Sequence, residues 1–175
     1  MMTFILIGSI LYMMNKGVQT PVTANTFDPL FKAEAAKYGL NWKMLKAIAM
    51  NESSLGTHPS VARGLAFPSD VDGSKSDDGK SWGIMQVTVP TARDFDPTAT
   101  AEKLNNPAYS IKIAAQYLAW VLLQFKDDPR LEWIVKSYNQ GVGNTKKERA
   151  GAIKGYANEY WSRYQRNFEK IKNEV

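Results

Sequence analysis

From Phe27 onward, apolar positions recur at spacings of three and four, and no segment alternates convincingly with period two. The pattern predicts an all-α chain with at most a small hairpin. Three Asx-Pro steps, Asp28-Pro29, Asn106-Pro107 and Asp128-Pro129, each set a capping side chain ahead of a proline at the first helical position. The first helix is predicted from Asp28 to Tyr38, stopping at Gly39, and Asn41 caps a second that reaches Ser53. After Asn106, residues Ile111, Ala114, Leu118, Val121, Leu122 and Phe125 form the core-facing stripe of a long amphipathic helix. A further helix spans Arg130 to Asn139 and ends before Gly141, and the last runs from about Ala152 to Ile171. Pro90 and Pro97 limit Val87 to Leu104 to short helical pieces. The stretch from Ser54 to Ser81 is rich in Gly, Ser, Asp and Pro and exceeds an ordinary connection, which marks it as functional or mobile.

The N-terminus breaks this pattern. Met1 to Met14 carry no charged side chain. As a helix they would span about 21 Å, short of a ~30 Å hydrocarbon core unless extended through Val18 with Lys16 reaching the interface. Residues 1–18 are therefore expected to be a membrane anchor, residues 19–26 a linker, and residues 27–175 a single folded domain. A secretory signal with cleavage near Val22-Thr23-Ala24 is the alternative for the first segment, and a buried N-terminal helix is a third. The chain has 175 residues, 44% of them hydrophobic, which suffices for one domain with a core of moderate size. It has no cysteine, which excludes disulfides, zinc–thiolate sites and thiol nucleophiles. One histidine, His58, cannot build a multi-histidine metal site and reads as a loop residue. Asp70-Val-Asp72-Gly-Ser74 is a weak match to a calcium loop, with Lys75 where the glycine belongs and Ser81 where the glutamate belongs, so neither metal nor cofactor is expected. The net charge of +5 favours polyanionic partners. Without a nucleic-acid-binding signature, a bacterial wall or an anionic membrane is the better fit than DNA or RNA.

The second helix carries the candidate chemistry. Trp42, Leu45, Ile48 and Ala49 form one apolar stripe, and the next step along it is Glu52. This sets a carboxylate on a buried face at a helix C-terminus, where low dielectric and the partial negative charge of the helix end both disfavour ionisation. A carboxyl that keeps its proton near neutral pH is what general-acid cleavage of a glycosidic bond requires. Periodicity alone leaves open a solvated helix-terminal glutamate.

Three segments occur in order: Asn51-Glu52-Ser53, then Ser81-Trp82-Gly83-Ile84-Met85-Gln86, then Ser137-Tyr138-Asn139-Gln140-Gly141. With Gly155-Tyr156-Ala157 they give Phe27 to Tyr164 a pattern that resembles the lytic transglycosylase family, related to goose-type lysozyme. The chain departs from the family pattern at Ile84 for Leu, at Ser137 and Gln140 for Ala, and at Ala157 for Val. Gln140 is the bulkiest change and is expected to alter the cleft wall.

The resemblance implies a lysozyme-like fold and assigns roles. Glu52 is the sole acid/base, and Ser53 resembles its supporting hydroxyl. Gly83 and Gln86 flank a tight turn, the glycine letting backbone approach a sugar and the glutamine facing an N-acetyl group. Met85 either lines the cleft or packs in the core. Tyr138 and Asn139 line the site, although Tyr138 as a core ring is equally open. Tyr156 resembles the family tyrosine whose hydroxyl contacts the catalytic carboxyl.

Most glycosidases use two carboxylates. Here no motif places a second, and Asp70, Asp72, Asp77, Asp78 and Asp94 sit in loops or short helices. One carboxyl suffices if the substrate supplies the nucleophile. The resemblance thus implies peptidoglycan as partner and lysis of the MurNAc–GlcNAc bond with 1,6-anhydroMurNAc formation. The hydrophobic N-terminus sets this domain at or beyond a membrane, facing the periplasm or cell wall, and the small size and short anchor suit local wall opening for a phage virion or a secretion or conjugation assembly. A hydrolytic goose-type lysozyme and a non-catalytic wall-binding component are the alternatives.

Overall fold

The computed structural model describes residue 23, residues 25–66 and residues 80–175. The expected anchor at 1–18, most of the linker and the calcium-like stretch up to residue 79 lie outside the described residues. Among the described residues no helix is long and apolar enough to cross a membrane.

The chain runs through α1 (Asp28–Lys37), α2 (Trp42–Ser53), α3 (Pro59–Ala62), β1 (Ser81–Trp82), β2 (Val87–Thr88), α4 (Val89–Arg93), α5 (Ala101–Leu104), α6 (Pro107–Gln124), α7 (Leu131–Arg149) and α8 (Asn158–Ile171). The all-α expectation holds, and the small hairpin is present. α2 packs between α1 and α8, and α6 lies against α1, α2, α5, α7 and strand β2. The stripe read from the sequence is the buried face of α6: Ile111, Ala114, Leu118, Val121 and Phe125 are fully buried, with Leu122 partly so. Each such large side chain contributes roughly 1.5–3 kcal/mol over its exposed state. α2 supplies Leu45, Ile48 and Ala49 to the same core.

Caps explain where the main helices start. The Asn41 side chain accepts from Lys43 N, and that of Asn106 accepts from Ala108 N and Tyr109 N with Pro107 at the first helical position. Asp28 and Asp128 behave differently because their carboxylates find charged partners, which make stronger bonds than a backbone N–H. Asp28 is itself the first residue of α1 and pairs at 2.8 Å with Lys46, a fully buried lysine that also meets Glu174. Asp128 takes two hydrogen bonds from Arg130 and one from the Trp133 indole, and α7 begins only at Leu131.

Two expected boundaries move. α7 breaks at Gly141 (φ 79°, ψ 153°) as its glycine foretold, but the chain resumes a helical path and reaches Arg149. The last helix opens at Asn158 rather than near Ala152. Between them Gly155 is buried against the Glu148 carboxyl group, with no space for a Cβ.

Candidate active site

Glu52 lies in the last turn of α2, one residue before Ser53 and two before Ser54, which turns into the left-handed region (φ 52°) and ends the helix. Glu52 lines a cleft of about 310 Å³. Burial pushes its carboxyl up from an ordinary 4.5 to about 7, against the opposing pull of the Tyr160 hydroxyl and the positive charge of Arg163. Tyr160 Oη donates to Glu52 Oε1 at 2.5 Å. Asn51 secures this pairing from the side: its Nδ2 donates to the Tyr160 carbonyl, and its Oδ1 accepts from Asn167 Nδ2. The ends of α2 and α8 are thus fastened by polar bonds immediately beside the carboxyl.

The turn from Gly83 to Gln86, which joins β1 to β2, forms another part of the site. Ser81 pairs with Thr88 and Trp82 with Val87, so four residues must reverse the chain, with φ of 72° at Gly83 and 49° at Gln86. The turn is held from four sides. Ser53 Oγ donates to the Ile84 carbonyl at 2.7 Å. The Met85 N–H donates to Ser110 Oγ, and the Met85 carbonyl accepts from Tyr138 Oη at 2.7 Å. Gly83 abuts the Leu104 carbonyl so closely that a Cβ has no room. Within the turn, Gln86 Nε2 donates to the Gly83 carbonyl at 2.8 Å.

Glu52, Gln86, Tyr138 and Asn139 line one cleft, together with Ser81, Val87, Thr88, Thr91, Tyr117 and Gly141. Asn139 is exposed within it. Tyr138 meets Tyr117 edge-on, and burial plus the nearby Glu52 charge keep its phenol protonated, as a neutral hydrogen-bond donor. Glu52 is the one carboxylate lining the cleft among the described residues. Among the described residues no group of three or more His, Cys, Asp or Glu is placed to hold a metal ion.

The sequence that builds this cleft matches a known family over most of its length. Residues 29–160 match the family described as Transglycosylase SLT domain. The chain belongs to this family. The Pasteurella multocida protein named membrane-bound lytic murein transglycosylase F is 29% identical over 122 residues, covering 67% of this chain and 20% of that protein. The protein of the same name from Hahella chejuensis is 25% identical over 128 residues, covering 71% of this chain and 21% of that one. The chain therefore spans about a fifth of the length of these relatives. An X-ray structure of an inactive mutant of lytic transglycosylase Slt from Pseudomonas aeruginosa superposes with a TM-score of 0.50 at 21% identity, covering 96% of this chain and 26% of that one. That likeness shows the lysozyme-like fold.

Several roles expected from the resemblance fall elsewhere in this SLT domain. Tyr156 does not meet Glu52: it is 65% exposed, and its hydroxyl lies against Asn144 and the Gln140 carbonyl. Tyr160, one turn into the final stretch, makes that contact instead, because α8 starts too late to carry Tyr156 inward. Ser53 supports the turn rather than the carboxyl, bonding Ile84 and Gly56. Gly83 makes room for the Leu104 backbone rather than for a sugar. The Met85 side chain is fully buried in the core, and its main chain does the bonding. Gln140 is not a cleft wall. It is buried, donating to Thr145 Oγ1 and to Glu148 Oε2 and accepting from Tyr156 N and Ala157 N.

Tyr160 had a signal in the sequence. Tyr160, Tyr164, Asn167 and Ile171 stand at helical spacing and form the buried face of α8. Tyr117 had a weaker one, on the edge of the α6 stripe.

Proposed function

We propose that this domain is a peptidoglycan lytic transglycosylase with Glu52 as its single acid and base. The observation that carries the reading is a carboxyl held to about 7 by burial, alone of its kind among the described residues that line the cleft. A group with that affinity for protons can both donate and recover one at neutral pH. Glu52 gives its proton to the oxygen between MurNAc and GlcNAc as the C1–O bond breaks, with the neighbouring N-acetyl group assisting at C1. The C6 hydroxyl of the same MurNAc then bonds to C1, and its proton passes to the Glu52 carboxylate. The 1,6-anhydro ring closes, the carboxyl is restored, and no water is consumed.

Gln86, Tyr138 and Asn139 are the proposed substrate contacts. The Asn139 amide, exposed in the cleft, offers a donor and an acceptor to an N-acetyl group. Local opening of the wall, with residues 1–18 attaching the domain to a membrane and a virion or secretion assembly as its user, belongs to the same proposal. Mass spectrometry of muropeptides released from purified peptidoglycan tests the chemistry. The expected products end in 1,6-anhydroMurNAc. Reducing MurNAc ends alone would assign hydrolysis, and no release would leave a wall-binding component.

A further inference from the structure

α6 carries Tyr117 and Trp120 three residues apart, so the two side chains are neighbours on one side of the helix. Tyr138 meets Tyr117 with ring centroids 5.7 Å apart at 76°, and Tyr117 meets Trp120 at 5.8 Å and 35°. Tyr138 and Tyr117 line the cleft that holds Glu52, while Trp120 lies beyond it and is 40% exposed. A run of three aromatic rings thus leads out of the cleft to open surface. The middle ring is held firmly: Phe95 packs edge-on against it at 6.4 Å, and its hydroxyl donates to the Ser137 carbonyl at 3.0 Å.

A space of about 310 Å³ holds only a short piece of a glycan polymer, so the strand must continue past the cleft rim. A pyranose presents C–H bonds on its faces and hydroxyls around its edge. Its face packs on an exposed indole while the hydroxyls keep their water, which suits a half-exposed ring better than a fully buried protein contact does. We propose that Trp120 forms an outer glycan subsite, on which a saccharide of the strand stacks after passing Tyr117. The proposal rests on the glycan-cleaving reading above and extends it to residues beyond the cleft.

The test uses the full chain carrying Glu52→Gln, which holds glycan without cutting it, titrated by NMR with a GlcNAc–MurNAc disaccharide and with the corresponding octasaccharide. The Trp120 indole N–H signal, assigned from a Trp120→Phe spectrum, is expected to shift with the octasaccharide and not with the disaccharide. Adding Trp120→Ala is expected to weaken octasaccharide binding about tenfold, the share an aromatic anchor carries, and to leave the disaccharide within about twofold. Loss of affinity that is equal for both lengths, or an unmoved indole with an unchanged octasaccharide affinity, overturns the subsite alone. An indole shift that follows protein concentration instead assigns the ring to a second copy and also overturns it. Failure of the Glu52→Gln parent to bind either fragment overturns the glycan reading and the subsite with it.

Discussion

The hydroxyl of Tyr160 bonds Glu52 Oε1 at 2.5 Å, joining α8 to the C-terminal end of α2. A donor aimed at a carboxylate favours its ionised form, yet the Glu52 carboxyl still stands near 7, so burial outweighs the bond. Removing the donor therefore leaves burial less opposed. Tyr160→Phe is expected to raise the Glu52 pKa above about 7 and move the alkaline limb of the pH–rate profile upward, with about a tenfold loss of rate at the optimum from poorer orientation. A downward move of that limb would show that the bond does not act on the ionised form.

Tyr156→Phe is the companion measurement. The Tyr156 ring is largely exposed and its hydroxyl touches Asn144 and Gln140, not the carboxyl. Its removal is expected to leave the rate within about twofold and the pH profile unchanged, as surface substitutions usually do. A rate loss matching that of Tyr160→Phe would give the catalytic contact to Tyr156.

Glu52→Gln separates chemistry from folding. Without a proton to give, the variant is expected to lose at least about a thousandfold in lysis, within the range for a general acid. Its stability should move the other way. Glu52 has a folded-state pKa near 7 against 4.5 ordinarily, so the native state holds the proton more tightly than the unfolded chain. The wild type consequently loses stability as pH rises from about 4.5 to about 7, and the full cost is present above that. Thermal unfolding of the variant should match wild type near pH 4 and exceed it near pH 8, by an amount on the order of 3 kcal/mol. A wild type that is equally stable relative to the variant at both pH values would contradict a buried, proton-holding carboxyl.

Much of this was legible in the sequence because it rests on local signals. Helical phase put Glu52 on the stripe of Leu45, Ile48 and Ala49, and the Asn41 and Asn106 caps opened α2 and α6 where expected. Less legible were contacts that depend on where one helix meets another. Whether Tyr156 or Tyr160 reaches Glu52 depends on the start of α8, which is set by the buried Gly155 and by Gln140 bonding the backbone at 156 and 157. Gly83 announced a turn, but its neighbour, the Leu104 carbonyl, comes from a helix twenty-one residues away. Likewise Asp28 and Asp128 read as caps because their charged partners, Lys46 and Arg130, are named only by the folded chain.

Gly83→Ala tests that packing directly. The new methyl would enter the space of the Leu104 carbonyl and would also impose a side chain at a φ of 72°. Neither obstacle is a flexible side chain, so backbone must move. A loss of roughly 3 kcal/mol or more in denaturant unfolding is expected, with a parallel loss of activity as the Gln86 side of the cleft shifts. Wild-type stability in this variant would mean that the hairpin and α5 are not pressed together as described.

Gln140→Ala restores the small residue of the family pattern and probes what the larger one holds. The Gln140 amide accepts from Tyr156 N and Ala157 N and donates to Thr145 and Glu148, while Glu148 also pairs with the buried Lys136. Truncation leaves two backbone N–H groups and one carboxylate oxygen short of a partner, for an expected cost of about 2–3 kcal/mol. Because the loosened segment leads directly into α8, the Tyr160–Glu52 bond should weaken with it. The pH–rate profile is then expected to shift in the same direction as for Tyr160→Phe, by a smaller amount. A stability loss with an unmoved profile would confine Gln140 to holding the fold, whereas a shift in both ties this buried amide to the proton affinity of Glu52.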